Sequence, residues 1–225
     1  EAVEYYRQAI EKKPDDPVLK KELALIYLKQ GREAKALEMV ETALAQNPDN
    51  PDVLVVAASL WQSAGDLDAA VNAYEKVTRK APEREKIHLL LARLYLRQDR
   101  HQQAADLLKD FVGRFPRNYT GFYYLGKAYA GLDRLNKAVE AYQRCLALEP
   151  ELMEPRAELI DIYTRQGRDS DVVDQYRAIL AQDPQNVAAA IELGLFYESR
   201  KKTKKARPLW ADLASRAASG SGVVK

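Results

Sequence analysis

The chain has one cysteine, two histidines, two methionines and two tryptophans, and these scarcities narrow its chemistry before any pattern is sought. With Cys145 alone, no intrachain disulfide can form. His88 and His101 have no partner at metal-ligand spacing, and there is no CxxC pair, no glycine-rich phosphate loop and no nucleophile motif. Carboxylates are plentiful, but paired carboxylates arise by chance on charged helices and none is singled out as a general acid. No catalytic residue, metal site or cofactor is therefore assigned, and the chain is read as a non-enzyme. A net charge of +2 gives no general attraction for nucleic acid. The longest apolar stretch, around Val53 to Trp61, falls far short of the roughly 20 residues a helix needs to span a bilayer, so membrane insertion is not expected.

What the chain does have is a period. Pro14, Pro48, Pro82, Pro116, Pro150 and Pro184 stand 34 residues apart, which marks a repeat array with no single central core. Between two such prolines lie two helix-length amphipathic segments, as in Pro17 to Gln30 and Glu33 to Gln46 around Gly31. Each block is thus a helical hairpin, and the fold class is all-α. The punctuation agrees. Pro14 and Pro48 end helices, Asp16, Asn50, Asn118 and Asn186 are placed to cap the next, and Pro17 and Pro51 occupy a first turn where a missing N–H is harmless. Gly31, Gly65 and Gly167 fall between paired helices, where a left-handed residue ends a helix without strain.

The columns of the repeat describe how two helices pack. An aromatic recurs as Tyr27, Trp61, Tyr95, Tyr129, Tyr163 and Tyr197. A mostly small column precedes it (Ala24, Ala58, Ala92, Gly126, Ile160, Gly194), and another follows in the second helix (Ala36, Ala70, Ala104, Ala138, Val172, Ala206). Small facing small lets the backbones approach closely. The exception is Ile160 opposite Val172, which is expected to push that hairpin's helices apart or force compensating shifts. A second bulky column runs Tyr6, Val40, Tyr74, Leu108, Tyr142, Tyr176, Trp210. Cys145 shares a core column with Ala9, Ala43, Val77, Phe111, Ile179 and Leu213, so it is read as a buried structural thiol.

Leucine (Leu23, Leu91, Leu125, Leu159, Leu193), small residue, aromatic, alanine and terminal proline recur together in this order, and on these residues the chain resembles the tetratricopeptide repeat family over residues 1 to 218. The resemblance implies a right-handed α-solenoid of antiparallel helix pairs with about thirteen helices. First helices would line a concave groove and second helices the back. The array divides into a half repeat 1–16, full repeats 17–50, 51–84, 85–118, 119–152, 153–186 and 187–218, and a flexible tail 219–225. It further implies a scaffold that binds a peptide or helix of a partner protein.

Candidate binding residues emerge once the scaffold is subtracted. Nine of the thirteen tyrosines occupy the two bulky columns. Of the other four, Tyr5, Tyr119, Tyr123 and Tyr124, three fall in one repeat. On the family geometry Tyr123, Tyr124 and Lys127 lie on the groove side of that repeat's first helix, where aromatics the fold does not require make a binding hot spot; packing against the next repeat is the competing role. The preceding repeat supplies Lys86, Arg93 and Arg97, and the two following repeats supply Glu154, Glu158, Asp161, Glu192 and Glu198, relieved by Arg165. Uneven charge of this kind orients a partner of complementary polarity. The family's clamp for C-terminal carboxylates is not matched, since its positions hold Lys21, Leu25, Val56, Lys86 and Leu90. The basic run Arg200 to Arg207 is read as a solvated turn, His88 as a partly packed surface residue and His101 as part of a turn.

The leading expectation is a non-catalytic scaffold with a protein or peptide partner. Its alternatives are a structural or oligomerising module of a larger bacterial assembly, as in envelope or polysaccharide export, and the regulatory arm of an enzyme lying outside this chain. Because Glu1 falls mid-repeat, a native start upstream is expected, and the open terminal helices carrying Tyr6 and Trp210 are expected to associate end to end. The localisation is unknown, cytoplasm and periplasm both suiting a soluble array.

Overall fold

Asp16 accepts hydrogen bonds from the backbone N–H groups of Val18 (2.9 Å) and Leu19, and Asn50 does the same for Asp52 and Val53. Asn118 and Asn186 each accept one at 2.9 Å, from Gly121 and Ala189. These caps satisfy amide groups that a helix start leaves without partners. The computed structural model describes residues 1–220. Among them are α1 Ala2–Lys12, α2 Pro17–Lys29, α3 Glu33–Gln46, α4 Pro51–Ala64, α5 Leu67–Lys80, α6 Glu85–Arg97, α7 His101–Arg114, α8 Tyr119–Gly131, α9 Leu135–Leu148, α10 Glu154–Arg165, α11 Asp169–Gln182, α12 Val187–Ser199 and α13 Thr203–Gly220. No strand is present among the described residues. First helices open at Pro17, Pro51, Glu85 and Tyr119, while α10 starts one residue later than the period, at Glu154 behind Met153. The helix α13 runs two residues into the segment read as a tail; the rest of that segment lies outside the described residues.

The chain forms two compact units, Glu1–Ala138 and Val139 onward. Within the first, α2 packs with α3, α4 with α5 and α6 with α7, and each pair touches the next. Within the second, α10 packs with α11 and α12 with α13. The small columns do what their size allows: Ala24, Ala58, Ala92, Ala36, Ala70 and Ala104 have no exposed surface. Ile160 is half-buried, unlike the fully buried alanines of its column, while Val172 is fully buried. In the last hairpin the fit is tuned the other way. A Cβ on Gly194 would stand 2.6 Å from the indole of Trp210, the bulkiest member of its column, so glycine is what lets that ring lie against α12.

Every full hairpin closes with the same turn. The backbone N–H groups of Arg32, Asp66, Arg100, Arg134, Arg168 and Lys202 donate to the carbonyls of Tyr27, Trp61, Tyr95, Tyr129, Tyr163 and Tyr197 at 2.7 to 2.9 Å. This six-residue loop requires a left-handed residue just before the donor. Gly31, Gly65 and Gly167 supply it with φ of 71°, 86° and 68°, but Asp99, Asp133 and Lys201 take the same place at 55°, 55° and 56°.

The aromatic rings serve a second purpose between repeats. Arg7 donates to the Tyr27 hydroxyl at 3.2 Å, Tyr95 donates to Glu75, and Gln143 donates to Tyr163 at 3.0 Å. Each of these partners lies 20 residues upstream, in the second helix of the preceding repeat. Arg100 and Arg168 lie over the Tyr95 and Tyr163 rings at 4.7 and 4.3 Å.

Three buried polar side chains share one column of the first helix: Lys20, His88 and Arg156. They answer the carbonyls of the repeat-boundary prolines, which no backbone N–H of the helix can reach. The Arg156 guanidinium donates to the Pro150 oxygen at 2.7 Å, and His88 Nε2 lies 3.1 Å from the Pro82 oxygen. Lys20 reaches Gln46, whose amide donates to Pro14. His88 is thus not a surface residue. Its ring packs on Phe111 at 5.5 Å, and burial pushes its pKa down, with the nearby Arg114 charge acting the same way and the Pro82 carbonyl opposing.

Two stability measurements follow from this geometry. A lysine held at positive φ is strained by about 1 kcal/mol, so Lys201→Gly should raise the urea midpoint at unchanged slope, and more than Asp99→Gly does, because aspartate tolerates that region better. An unchanged or lower midpoint would show that the turn carries no strain. Because the folded state lowers the His88 pKa, the unfolded chain binds more protons below about pH 6.5. The contribution of His88 is therefore kept above that pH and lost as pH falls through the folded value. His88→Phe, which installs the residue that Phe122 already places in this column, should flatten the fall in urea stability between about pH 7 and pH 5; equal slopes for both proteins would contradict it.

Candidate functional site

The α8 segment from Tyr119 to Tyr124 begins under the Asn118 cap and rests on a glycine. A Cβ at Gly121 would lie 2.6 Å from the Phe111 ring, so the lack of one lets the start of α8 settle on α7. That fixes which residues of α8 turn inward. Phe122, Leu125 and Gly126 are buried, while Tyr123 and Tyr124 are half-buried with ring centroids 5.6 Å apart and planes inclined at 43°. Lys127 Nζ sits 5.8 Å from the Tyr123 ring. These three form one cluster. Tyr119, a turn earlier, is 38% exposed.

The cations Lys86, Arg93 and Arg97 stand on α6, the first helix of the preceding repeat, which lies against α8. Arg93 is close enough to the Tyr74 hydroxyl of α5 for its charge to offset part of the rise that burial causes in that group's pKa. The arrangement can present two amphipathic rings beside four positive charges, which suits a segment with an apolar anchor and flanking carboxylates.

In the second unit the acidic residues are differently employed. Asp161 pairs with Arg165 at 3.8 Å along α10, Glu198 accepts the Trp210 indole N–H at 2.8 Å, and Glu192 lies near enough to Tyr176 to help raise its pKa, behind the larger effect of burial. Sequence reasoning missed an apolar stripe on α12. Val187, Ile191 and Leu195 recur every fourth residue and are exposed. The signal was present in an α12 whose residues from Val187 to Tyr197 include one charge, Glu192, an apolar run that is out of place unless something covers it.

The other singled-out residues are accounted for locally. Cys145 is fully buried, and burial, reinforced by Glu149 and Glu154, pushes its thiol up to about 11. His101 is the first residue of α7, not part of the turn, and its ring occupies the space a Cβ on Gly131 would need. Within the basic run, Arg200 and Lys202 pair with Asp169 at 2.9 and 3.2 Å. Lys21 pairs with Glu22 at 2.9 Å. Among the described residues no cluster of three or more His, Cys, Asp or Glu could hold a metal ion, and no helix is long and apolar enough to cross a membrane.

Comparison with known proteins places this geometry. No curated protein matches the sequence. Solved structures share the fold. A MamA fragment from Desulfovibrio magneticus RS-1 is 21% identical, with 76% of this chain and 97% of that chain aligned at a TM-score of 0.66. YrrB, described as a TPR protein with an unusual peptide-binding site, is 15% identical over 83% and 96% at 0.71. A thermophilic TPR protein of Thermus thermophilus is 24% identical over 80% and 98% at 0.51. Tetratricopeptide repeat family models match residues 1–60, 62–119, 119–152 and 157–222. With nearly every residue inside such a match and the helix pairs to go with it, the chain belongs to the tetratricopeptide repeat family.

Proposed function

We propose that the chain is a non-catalytic scaffold that holds a peptide or helix of a partner protein against α6 and α8. The observation that supports this most is the Tyr123–Tyr124 pair. Its rings lie 5.6 Å apart, partly open to solvent, at positions that other repeats fill with Lys21, Val55, Leu89 or Ala157 and their neighbours and that no hairpin needs for closure. Tyrosine buries a large area at small entropic cost, which makes such a pair the apolar anchor. Lys86, Arg93, Arg97 and Lys127 then steer and orient the partner. The solved structure of YrrB, described as peptide-binding, adds support by analogy of fold alone.

The test is a calorimetric titration with a partner captured on the immobilised chain. Tyr124→Ala should lose about 2 kcal/mol of binding with little loss of helicity. Arg93→Glu should mainly slow association, and more so at low salt. Unchanged affinity in both variants would remove the site from α6 and α8.

Self-association is a second element of the proposal, favoured by Tyr5. This residue of α1 is 69% exposed and stands edge-on to Tyr6 at 5.5 Å, a large aromatic surface with nothing of its own unit over it. Sedimentation velocity should show mass increasing with concentration and Tyr5→Glu abolishing the increase. A monomer at all concentrations would exclude it.

A further inference from the structure

The array carries the same surface cleft at several places, and the C-terminal copy differs from the N-terminal one in charge. Near the N-terminus, Arg7, Ile10, Leu23, Tyr27, Lys35 and Met39 help line a cleft of about 380 Å³. Five repeats later Arg177, Leu180, Leu193, Tyr197, Lys205 and Leu209 line the equivalent cleft between α11, α12 and α13, of about 440 Å³. Both have the size of a ligand site and an apolar floor. In the N-terminal copy the cations are matched, because Glu11 and Glu38 belong to the same lining and Arg7 donates to the Tyr27 hydroxyl.

The C-terminal copy has lost each of these compensations. Ala181 stands where Glu11 would recur and Pro208 where Glu38 would, and Lys204 adds a cation where the first copy has Ala34. Three positive side chains, Arg177, Lys204 and Lys205, therefore meet in a lining without a carboxylate. Among the described residues Arg177 and Lys204 take part in no ion pair, and no bond joins Arg177 to Tyr197 as Arg7 is joined to Tyr27. Lys205 Nζ lies over the Tyr197 ring at 5.9 Å. Three like charges gathered beside a floor of leucine and tyrosine repel one another and favour an anionic partner.

We infer that this cleft is a second binding site, distinct from the α6 and α8 face, for an acidic peptide segment. One apolar side chain of the peptide enters between Leu180, Leu193 and Leu209, and its carboxylates pair with Arg177, Lys204 and Lys205. The observations favour a peptide over single-stranded nucleic acid. A base needs an open aromatic face to stack on, whereas Tyr197 is only 4% exposed and Lys205 lies across it. Two further cations of the nearby turn, Arg200 and Lys202, are bound to Asp169 and so are less available to a phosphate backbone.

The experiment is a selection of phage-displayed random dodecapeptides on the full chain, after depletion on the Lys204→Glu/Lys205→Glu protein to remove peptides bound elsewhere. Surviving peptides should carry carboxylates on both sides of a leucine or phenylalanine. Measured by fluorescence anisotropy, their affinity should fall at least about tenfold in the double variant and by a similar factor in Arg177→Gln/Lys204→Gln, which adds no negative charge. Circular dichroism of both variants should match the parent, as none of the three side chains is buried. Tyr124→Ala should leave the affinity unchanged, so the two binding readings fail separately. No surviving peptides, survivors without acidic residues, or a single-stranded oligouridylate bound more tightly than any survivor and lost in the same variants would each overturn the assignment.

Discussion

The aromatic that ends each first helix is the residue on which the rest of the array depends. Its carbonyl accepts the bond that closes the hairpin turn, and in three repeats its hydroxyl is tied to the second helix of the repeat before. One residue thus takes part, through its carbonyl, in the closure of a hairpin and, through its hydroxyl in three repeats, in the registration against its neighbour. Repeat proteins need this coupling because each unit contacts only the next and has no central core to hold it. Closure and stacking carried by the same residue cannot drift apart. It also explains why the left-handed position just after the helix is kept even where glycine is not available, as at Asp99, Asp133 and Lys201: the loop to the aromatic carbonyl forms only if that residue turns.

Much of this was legible in the sequence because its causes are local or periodic. Proline spacing, caps at Asp16, Asn50, Asn118 and Asn186, and the small columns are each dictated by backbone sterics and by the closeness of two helices. What could not be read is what depends on which side chain meets a particular backbone group once the helices are packed. His88 resembled a surface residue because its column also holds lysine and arginine elsewhere. Its burial follows from a boundary proline carbonyl that must find a donor, and three different side chains, Lys20, His88 and Arg156, answer it. The column is polar for a structural reason that hydropathy alone does not show.

The candidate site divides in the same way. Tyr123 and Tyr124 stood out as aromatics beyond the repeat's needs, and the structure leaves them partly open and adjacent. The effect of the Arg93 charge on Tyr74, and the employment of Glu198 by Trp210, were invisible to a pattern that counts charges by column. The stripe Val187, Ile191 and Leu195 escaped for the opposite reason: in a helix so largely apolar no face stands out, and only packing against α11 and α13 reveals which side is left uncovered.

A periodic scaffold offers an internal control that a globular fold lacks. Where equivalent positions are occupied by interchangeable apolar residues, as at Val40 and Leu108, the column serves packing. Where one copy departs in charge while its apolar floor is kept, packing does not account for the departure. The two clefts meet this criterion, since Leu23 and Leu193, Tyr27 and Tyr197, and Lys35 and Lys205 correspond while the acids Glu11 and Glu38 have become Ala181 and Pro208. Loss of both acids changes the charge of the cleft while its leucines and tyrosine are kept. In an array built from one hairpin, specificity therefore resides in the differences between copies, and binding chemistry is read by subtracting one repeat from another.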